Sequence, residues 1–250
     1  MRKTMIGSLM LLALSALAAQ AWAGDYLKIR HVSEAYEVMG QKQPATEEIV
    51  ETWLSGDLAR MNTSPDTSVI FRGDKEAIYL LDHAKKAYTE MPLNMASAMT
   101  EMMGDQGADA EMTQMMTQMM GAMMEVKAGV VDTGATKAVN NWTCRLYELT
   151  LEMPMGKTVS EICATEEIGV DLSIYHKVGN AMMAGQPGFA AVIQEMEKIK
   201  GVSVLTVSKA SIMGAVITSR EELMEHRKLS PPDGTFDIPS GYTKQTFTDM

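Results

Sequence analysis

From Tyr26 to Asp82 apolar and polar positions alternate at the period of a β-strand, in short runs separated by turn-forming clusters. Leu27, Ile29 and His31 alternate with Lys28 and Arg30, and a second run holding Ile49, Val50, Trp53 and Leu54 stops at Ser55-Gly56-Asp57. Leu58–Met61 forms a third run, Asn62-Thr63-Ser64-Pro65-Asp66 a turn, and Ser68–Arg72 a fourth run. Gly73-Asp74 then separates it from Ala77–Leu81, and Lys86–Glu90 adds one more strand. Strands that follow one another so closely pair as an antiparallel meander.

The period then changes. Methionines at 91, 95, 99, 102 and 103, beginning beside Pro92, recur at helical spacing, and after the breaker Gly104-Asp105-Gln106-Gly107 so do those at 112, 115, 116, 119, 120, 123 and 124. On a helical projection the second group fills about half the circumference, with Glu111, Gln114, Thr117, Gln118 and Glu125 opposite. Residues 91–124 therefore predict a methionine-rich amphipathic helical hairpin inserted between strands.

Strand periodicity returns in Val126–Val131 and Trp142–Glu152, joined through Gly134 and the turn Asn140-Asn141, and continues past Met153-Pro154-Met155-Gly156 to Glu166. Asp171 is placed to cap a helix. Phe189, Val192, Ile193, Met196 and Ile199 follow helical spacing up to Gly201. Val202–Val207, Ile212–Thr218, Glu222–Leu229 and the extended piece Phe236–Phe247 close the chain. The expected class is α+β, a long antiparallel sheet with helices gathered on one face.

Arg2 and Lys3, the uncharged run Met5–Ala19 and the small-x-small triplet Ala21-Trp22-Ala23 read as a secretory signal over 1–23, cleaved before Gly24. The run is short of the ~20 residues of a bilayer span, an uncleaved anchor being the alternative. A periplasmic protein is expected, with residues 24–250 forming one domain and no integral span. Of the 250 residues, 22 are basic and 32 acidic. Losing the signal removes two basic groups and takes the formal charge from −10 to −12. A surface of that sign repels nucleic acid and anionic headgroups.

Two cysteines in an exported chain favour one disulfide, Cys144–Cys163. The runs on either side of residues 153–156 place the thiols nearly opposite on a hairpin. A catalytic or metal-binding thiol lacks a CxxC spacing or a nearby histidine.

Several stretches together resemble the periplasmic lipoprotein-carrier (LolA-like) superfamily and an uncharacterised bacterial domain family grouped near it. They are Leu58-Ala59-Arg60-Met61 with Ile70-Phe71-Arg72-Gly73-Asp74, Tyr79-Leu80-Leu81-Asp82 with Lys86-Ala87-Tyr88, Val139-Asn140-Asn141-Trp142-Thr143-Cys144, and Phe236-Asp237-Ile238-Pro239-Ser240-Gly241-Tyr242. The resemblance implies a curved, half-open antiparallel sheet whose concave face is covered by helices around an apolar cavity that takes acyl chains. The chain departs from the pattern in its long methionine segment and in having no basic docking patch evident from sequence.

Methionine is the sharpest chemical feature: 25 residues of 250, twelve of them within 91–124. Thioether side chains are flexible and fill irregular space, which suits either a core helix or an adaptable seal over a hydrophobic ligand. The expected function is a binding protein sheltering a lipid or other hydrophobic small molecule between sheet and flap, with Met95, Met99, Met102, Met112, Met115, Met116, Met119, Met120 and Met123 as contacts. Two alternatives use the same residues: Cu(I)/Ag(I) binding by thioethers, and docking of an envelope protein. His31, His83, His176 and His226 show no zinc spacing, and neither a nucleophile elbow nor a phosphate or dinucleotide loop occurs. No cofactor and no enzymatic activity are expected. Adjacent acids such as Glu47-Glu48, Glu166-Glu167 and Glu221-Glu222 point to opposite faces of a strand and read as solvated. Trp53, Tyr79, Tyr88 and Trp142 fall on strands, where they pack the core or line a cavity.

Overall fold

The computed structural model describes residues 24–93, 126–154, 156–171, 189–212 and 214–246. The expected signal over 1–23, His176 and the expected methionine hairpin past residue 93, with every methionine named above as a ligand contact, lie outside the described residues; the expected start of that hairpin, Met91-Pro92, is strand instead of helix.

Twelve strands form one sheet. At its centre β1 (Gly24–Ser33) pairs antiparallel with β4 (Thr46–Ser55) on one side and β13 (Ala215–Leu229) on the other. One wing runs outward from β4 through β5 (Leu58–Ser64), β6 (Thr67–Arg72), β7 (Ala77–Asp82) and β8 (Ala87–Pro92), and ends in the short parallel strand β14 (Thr243–Gln245). The other runs from β13 through β12 (Val202–Ile212), β11 (Gly156–Thr165) and β10 (Trp142–Met153) to β9 (Lys127–Val139). A separate hairpin of β2 (Tyr36–Val38) and β3 (Gln41–Gln43) joins β1 to β4.

The α+β expectation is overturned. The described residues are mostly strand, and their one α-helix is α1 (Phe189–Met196). It packs on the edge strand β9, where a Glu195 carboxylate oxygen accepts the Val130 N–H at 2.8 Å. A helix in that place covers an exposed strand edge, which is a different task from roofing a sheet face. Strand content also exceeds the reading because small and polar residues do not interrupt the ladders. β9 passes through Gly134 (φ 73°) to Val139 with a register shift against β10, and β13 runs unbroken through Ser219 and Arg220. The closing piece 236–247, expected to be extended, is mostly turn, with Thr243–Gln245 its one strand among the described residues.

In the first wing the alternation produces two different faces. One carries an in-register apolar row, Leu54–Ala59–Phe71–Ile78–Met91, in which every member is buried. It belongs to a cluster that also takes in Leu27, Cys144, Cys163, Ile168, Val204, Leu205 and Leu223. The other face carries Ile70, Ala77, Tyr79 and Leu81. In the second wing, Tyr147, Leu149, Ile162 and Ala164 form a third cluster with Ile199, just past the helix. Gly201 then turns the chain into β12 with φ 88°, and a Cβ there would sit 2.1 Å from the Thr165 carbonyl oxygen, so only glycine fits.

The expected disulfide joins Cys144 and Cys163 across β10 and β11, with Cα atoms 5.2 Å apart. The ladder pairs Leu146 with Cys163, so the bridge is diagonal rather than directly opposite. Both sulfurs are buried in the main cluster. Replacing both cysteines by alanine is expected to lower the unfolding free energy by roughly 3 kcal/mol, because the link closes an intermediate loop in the unfolded chain. Urea unfolding of wild type and double variant measures this; equal midpoints would show that the bridge contributes nothing.

Candidate functional site

The first face of the β4–β8 wing changes character one row away from the buried Leu54–Met91 row. Thr52, Met61, Val69, Leu80 and Thr89 form the next in-register row, and in it Met61, Val69 and Leu80 are half-exposed. Val69 and Leu80 rest against the main cluster while still presenting apolar surface. Beside them, between β6, β7, β8 and β14, lies a cleft of about 220 Å³. Its lining includes Val69, Leu80, Leu81, Ala87 and Tyr88, with Thr67, Ser68, Asp82, Thr89 and Gln245 supplying polar groups. Ligand sites start at roughly 300 Å³, so the cleft accommodates part of a molecule, such as the end of an alkyl chain. Asp82 is held below the usual carboxylate range, first by the Lys85 backbone N–H and then by the Lys85 ammonium.

The opposite face is closed by the C-terminal segment 231–246, a strap laid over β6–β8. Phe236, Ile238 and Tyr242 pack on Ile70, Ala77, Tyr79 and Leu81, and the Thr243 N–H donates to the Lys86 carbonyl before β14 joins the β8 edge. A chain of polar contacts pins it. Arg60 donates to Asn62 Oδ1 at 2.9 Å, Ser68 Oγ at 3.3 Å and the Thr235 carbonyl at 3.2 Å. Ser68 Oγ donates to Asn62 Oδ1 at 2.9 Å and lies 2.7 Å from His83 Nε2, while His83 Nδ1 is 2.6 Å from the Tyr242 hydroxyl. Because the single Ser68 hydrogen goes to Asn62, Nε2 carries the imidazole proton and donates to Ser68, and Nδ1 accepts from Tyr242. Although this places a serine against a histidine, Ser68 is 2% exposed and its hydrogen is committed. The arrangement is a fixed pin. Burial lowers the proton affinity of the Arg60 guanidinium, with the nearby Tyr242 acting in the opposite sense.

Arg72 reinforces the strap, donating to the Phe236 carbonyl and to Asp237 and forming a forked pair with Asp74 at 2.8 Å. Removing the Tyr242 hydroxyl (Tyr242→Phe) is expected to cost about 1 kcal/mol. Deleting the strap uncovers Tyr79, Leu81 and the β8 edge and costs on the order of 3 kcal/mol, with concentration-dependent association. Urea unfolding and light scattering measure both effects; a truncated chain that stays monomeric and equally stable would contradict the role.

The centre of the sheet holds two more clusters. On β1 the Tyr26 ring lies 4.9 Å from Trp53 with the Arg227 guanidinium 5.0 Å from its centroid. Burial, and then the hydrogen bond it donates to Glu51, push the Tyr26 hydroxyl up to about 12. One residue earlier, Asp25 accepts from His226 Nε2 at 2.7 Å, both side chains being largely buried. Glu222, expected to be solvated, is 8% exposed and accepts from Arg30, Arg220 and Asn140. Burial alone would raise its pKa, but the hydrogen bonds from Arg220, Arg30 and Asn140 outweigh it and the carboxyl titrates below its ordinary range. Arg30 reaches Glu47 at 4.0 Å and Glu222 at 2.9 Å, and its Nε is left buried without a partner. Glu221, on the other face, pairs with His31 as the strand alternation requires.

Of the aromatic candidates, Tyr88 lines the cleft, Tyr79 is buried under the strap, Trp142 packs on the main cluster and Trp53 stacks on Tyr26. No group of three or more His, Cys, Asp or Glu residues suited to a metal occurs among the described residues. No described helix is long and apolar enough to cross a membrane. The strap pin and the Glu222 cluster escaped the sequence reading, since their members lie up to 192 residues apart and share no local motif. The one local signal was His83, inside the Asp82–Lys86 turn.

No family model and no curated protein matches the chain. Among solved structures it aligns with PNGF-II, over 89% of this chain and 32% of that one, at 9% identity and a TM-score of 0.37. A likeness that low carries no argument about fold or activity.

Proposed function

We propose that the protein binds a lipid or another hydrophobic small molecule against the first face of the β4–β8 wing, in keeping with the LolA-like resemblance of its sequence motifs. The observation that carries this reading is the asymmetry of the wing. Both faces are apolar, the strap seals one, and the other keeps Met61, Val69 and Leu80 half-exposed beside the cleft. An uncommitted apolar row next to a fully packed one is what an alkyl chain would complete, at roughly 25 cal/mol for each Å² of apolar surface removed from water. Met95, Met99, Met102, Met112, Met115, Met116, Met119, Met120 and Met123 are the candidate second wall on their sequence pattern, and their thioethers would tolerate ligands of differing shape. Export to the periplasm through the 1–23 signal belongs to the same proposal, and the buried disulfide is compatible with an oxidising compartment.

The test is titration of the delipidated protein with a fluorescent fatty acid. Saturable binding at one site per chain, displaced by unlabelled fatty acid, is the expected result. An absence of saturable binding, with the protein folded by circular dichroism, would overturn the reading.

A further inference from the structure

The open row on the first face ends beside polar groups that the chain leaves unused. Thr89 lies level with Leu80 on one side and Gln245 on the other, and it lines the cleft. The residue is 3% exposed, yet its hydroxyl has no hydrogen-bond partner among the described residues. A hydroxyl withdrawn from water without a partner is a cost that a ligand removes by bonding to it. Thr67, Asp82 and Ala87 form the next in-register row, each two residues along its strand from Val69, Leu80 and Thr89 and so on the same face. Asp82 is therefore the diagonal neighbour of Thr89, at about 7–8 Å.

Asp82 brings a charge with room for further donors. One of its oxygens accepts the Lys85 N–H at 2.8 Å, and the other faces the Lys85 ammonium at 3.4 Å in a partly exposed pair. These two contacts leave about half of the roughly four acceptor positions of a carboxylate open, and a surface pair of this kind holds its partners weakly. Among the described residues that line the cleft, none is basic. Lys244 on β14 turns to the opposite face, where it meets Glu90.

We propose that this end of the cleft receives the head of a long-chain amine or alcohol, which donates to Asp82 and bonds to the Thr89 hydroxyl while its chain runs over Leu80 and Val69 toward Met61. The proposal rests on the reading of this row as a hydrophobic ligand site and names the class of ligand. A group standing between the two side chains makes both hydrogen bonds at ordinary lengths of about 2.8 Å. The cleft, at about 220 Å³, has room for the head and the first carbons. A carboxylate head has no hydrogen to donate at neutral pH and meets Asp82 as a like charge, so a fatty acid is held by its chain alone.

The experiment is calorimetric titration of the delipidated protein with decylamine, decanol and decanoate, each below its critical micelle concentration. One site per chain is expected, with the amine bound at least about tenfold more tightly than the acid and the alcohol between them. Asp82→Asn keeps an acceptor for the Lys85 N–H and brings amine and acid to within about threefold of each other. Glu148→Gln, exposed on β10 of the other wing, removes the same charge and leaves the preference intact. Thr89→Val puts a methyl in place of the hydroxyl and weakens the amine and the alcohol about fivefold. It leaves the urea midpoint unchanged or raised, since no hydrogen bond within the chain is lost. Equal affinity for the three ligands in wild type would overturn the proposal while leaving the hydrophobic site standing. A preference that survives in Asp82→Asn, or affinities untouched by Thr89→Val, would also overturn it. Binding of none of the three would remove the site and the proposal together.

Discussion

Phe71→Ala is expected to lower the unfolding free energy by about 3–5 kcal/mol, the range for removing a large aromatic from a packed core. Phe71 is 4% exposed and sits mid-row between Ala59 on β5 and Ile78 on β7. Ala59, its partner on β5, is small and leaves the volume of that position to the phenyl ring's side of the row. The loss is a large part of the roughly 5–15 kcal/mol by which proteins of this size are stable. Phe71→Leu keeps most of the volume and is expected to cost about 1.5 kcal/mol or less. Urea titration followed by far-ultraviolet circular dichroism measures both. A Phe71→Ala loss under about 1 kcal/mol would mean that the Leu54–Met91 row is not the packed centre of this wing.

Legibility varied with the range of the determining contacts. The runs around Leu27, Trp53, Ile70 and Tyr79 could be read because their turns carry Gly, Pro, Asn or Asp, whose backbone preferences are local. The β2–β3 hairpin could not, because its turn is Met39-Gly40 and Met39 takes a left-handed φ of 51° that methionine does not advertise. In β12 and β13 the runs Ser208–Ser211 and Ser219–Arg220 look like breaks but lie inside continuous ladders, where pairing on both sides overrides side-chain polarity. Glu222 was read as solvated because its partners Arg30 and Asn140 are distant in sequence. The candidate wall was half legible. Val69 and Leu80 alternate as a strand should, but that one apolar face is sealed by Phe236, Ile238 and Tyr242 while the other is not follows only from the return of the chain over β6–β8.

The second large effect concerns that open wall. Leu80 is half-exposed, lines the cleft and is flanked in register by Val69 and Thr89. In Leu80→Asp the short carboxylate cannot reach past the wall to water as a lysine head would, so a bound alkyl chain would lie against an unpaired charge. A cost of at least about 1.4 kcal/mol is expected for burying that group without a partner, a tenfold or greater loss of affinity. Leu80→Met, apolar and of similar volume, is expected to bind within about threefold of wild type. Because Leu80 is not fully buried and lies outside the Leu54–Met91 row, the Leu80→Asp chain should remain folded.

The most direct measurement is therefore the fluorescent fatty acid titration run in parallel on wild type, Leu80→Asp and Leu80→Met, each verified as folded. Saturable binding that weakens at least tenfold in Leu80→Asp and persists in Leu80→Met is the result predicted for a ligand held on the first face of the β4–β8 wing. Binding of equal strength in all three proteins, or binding in none, would contradict it.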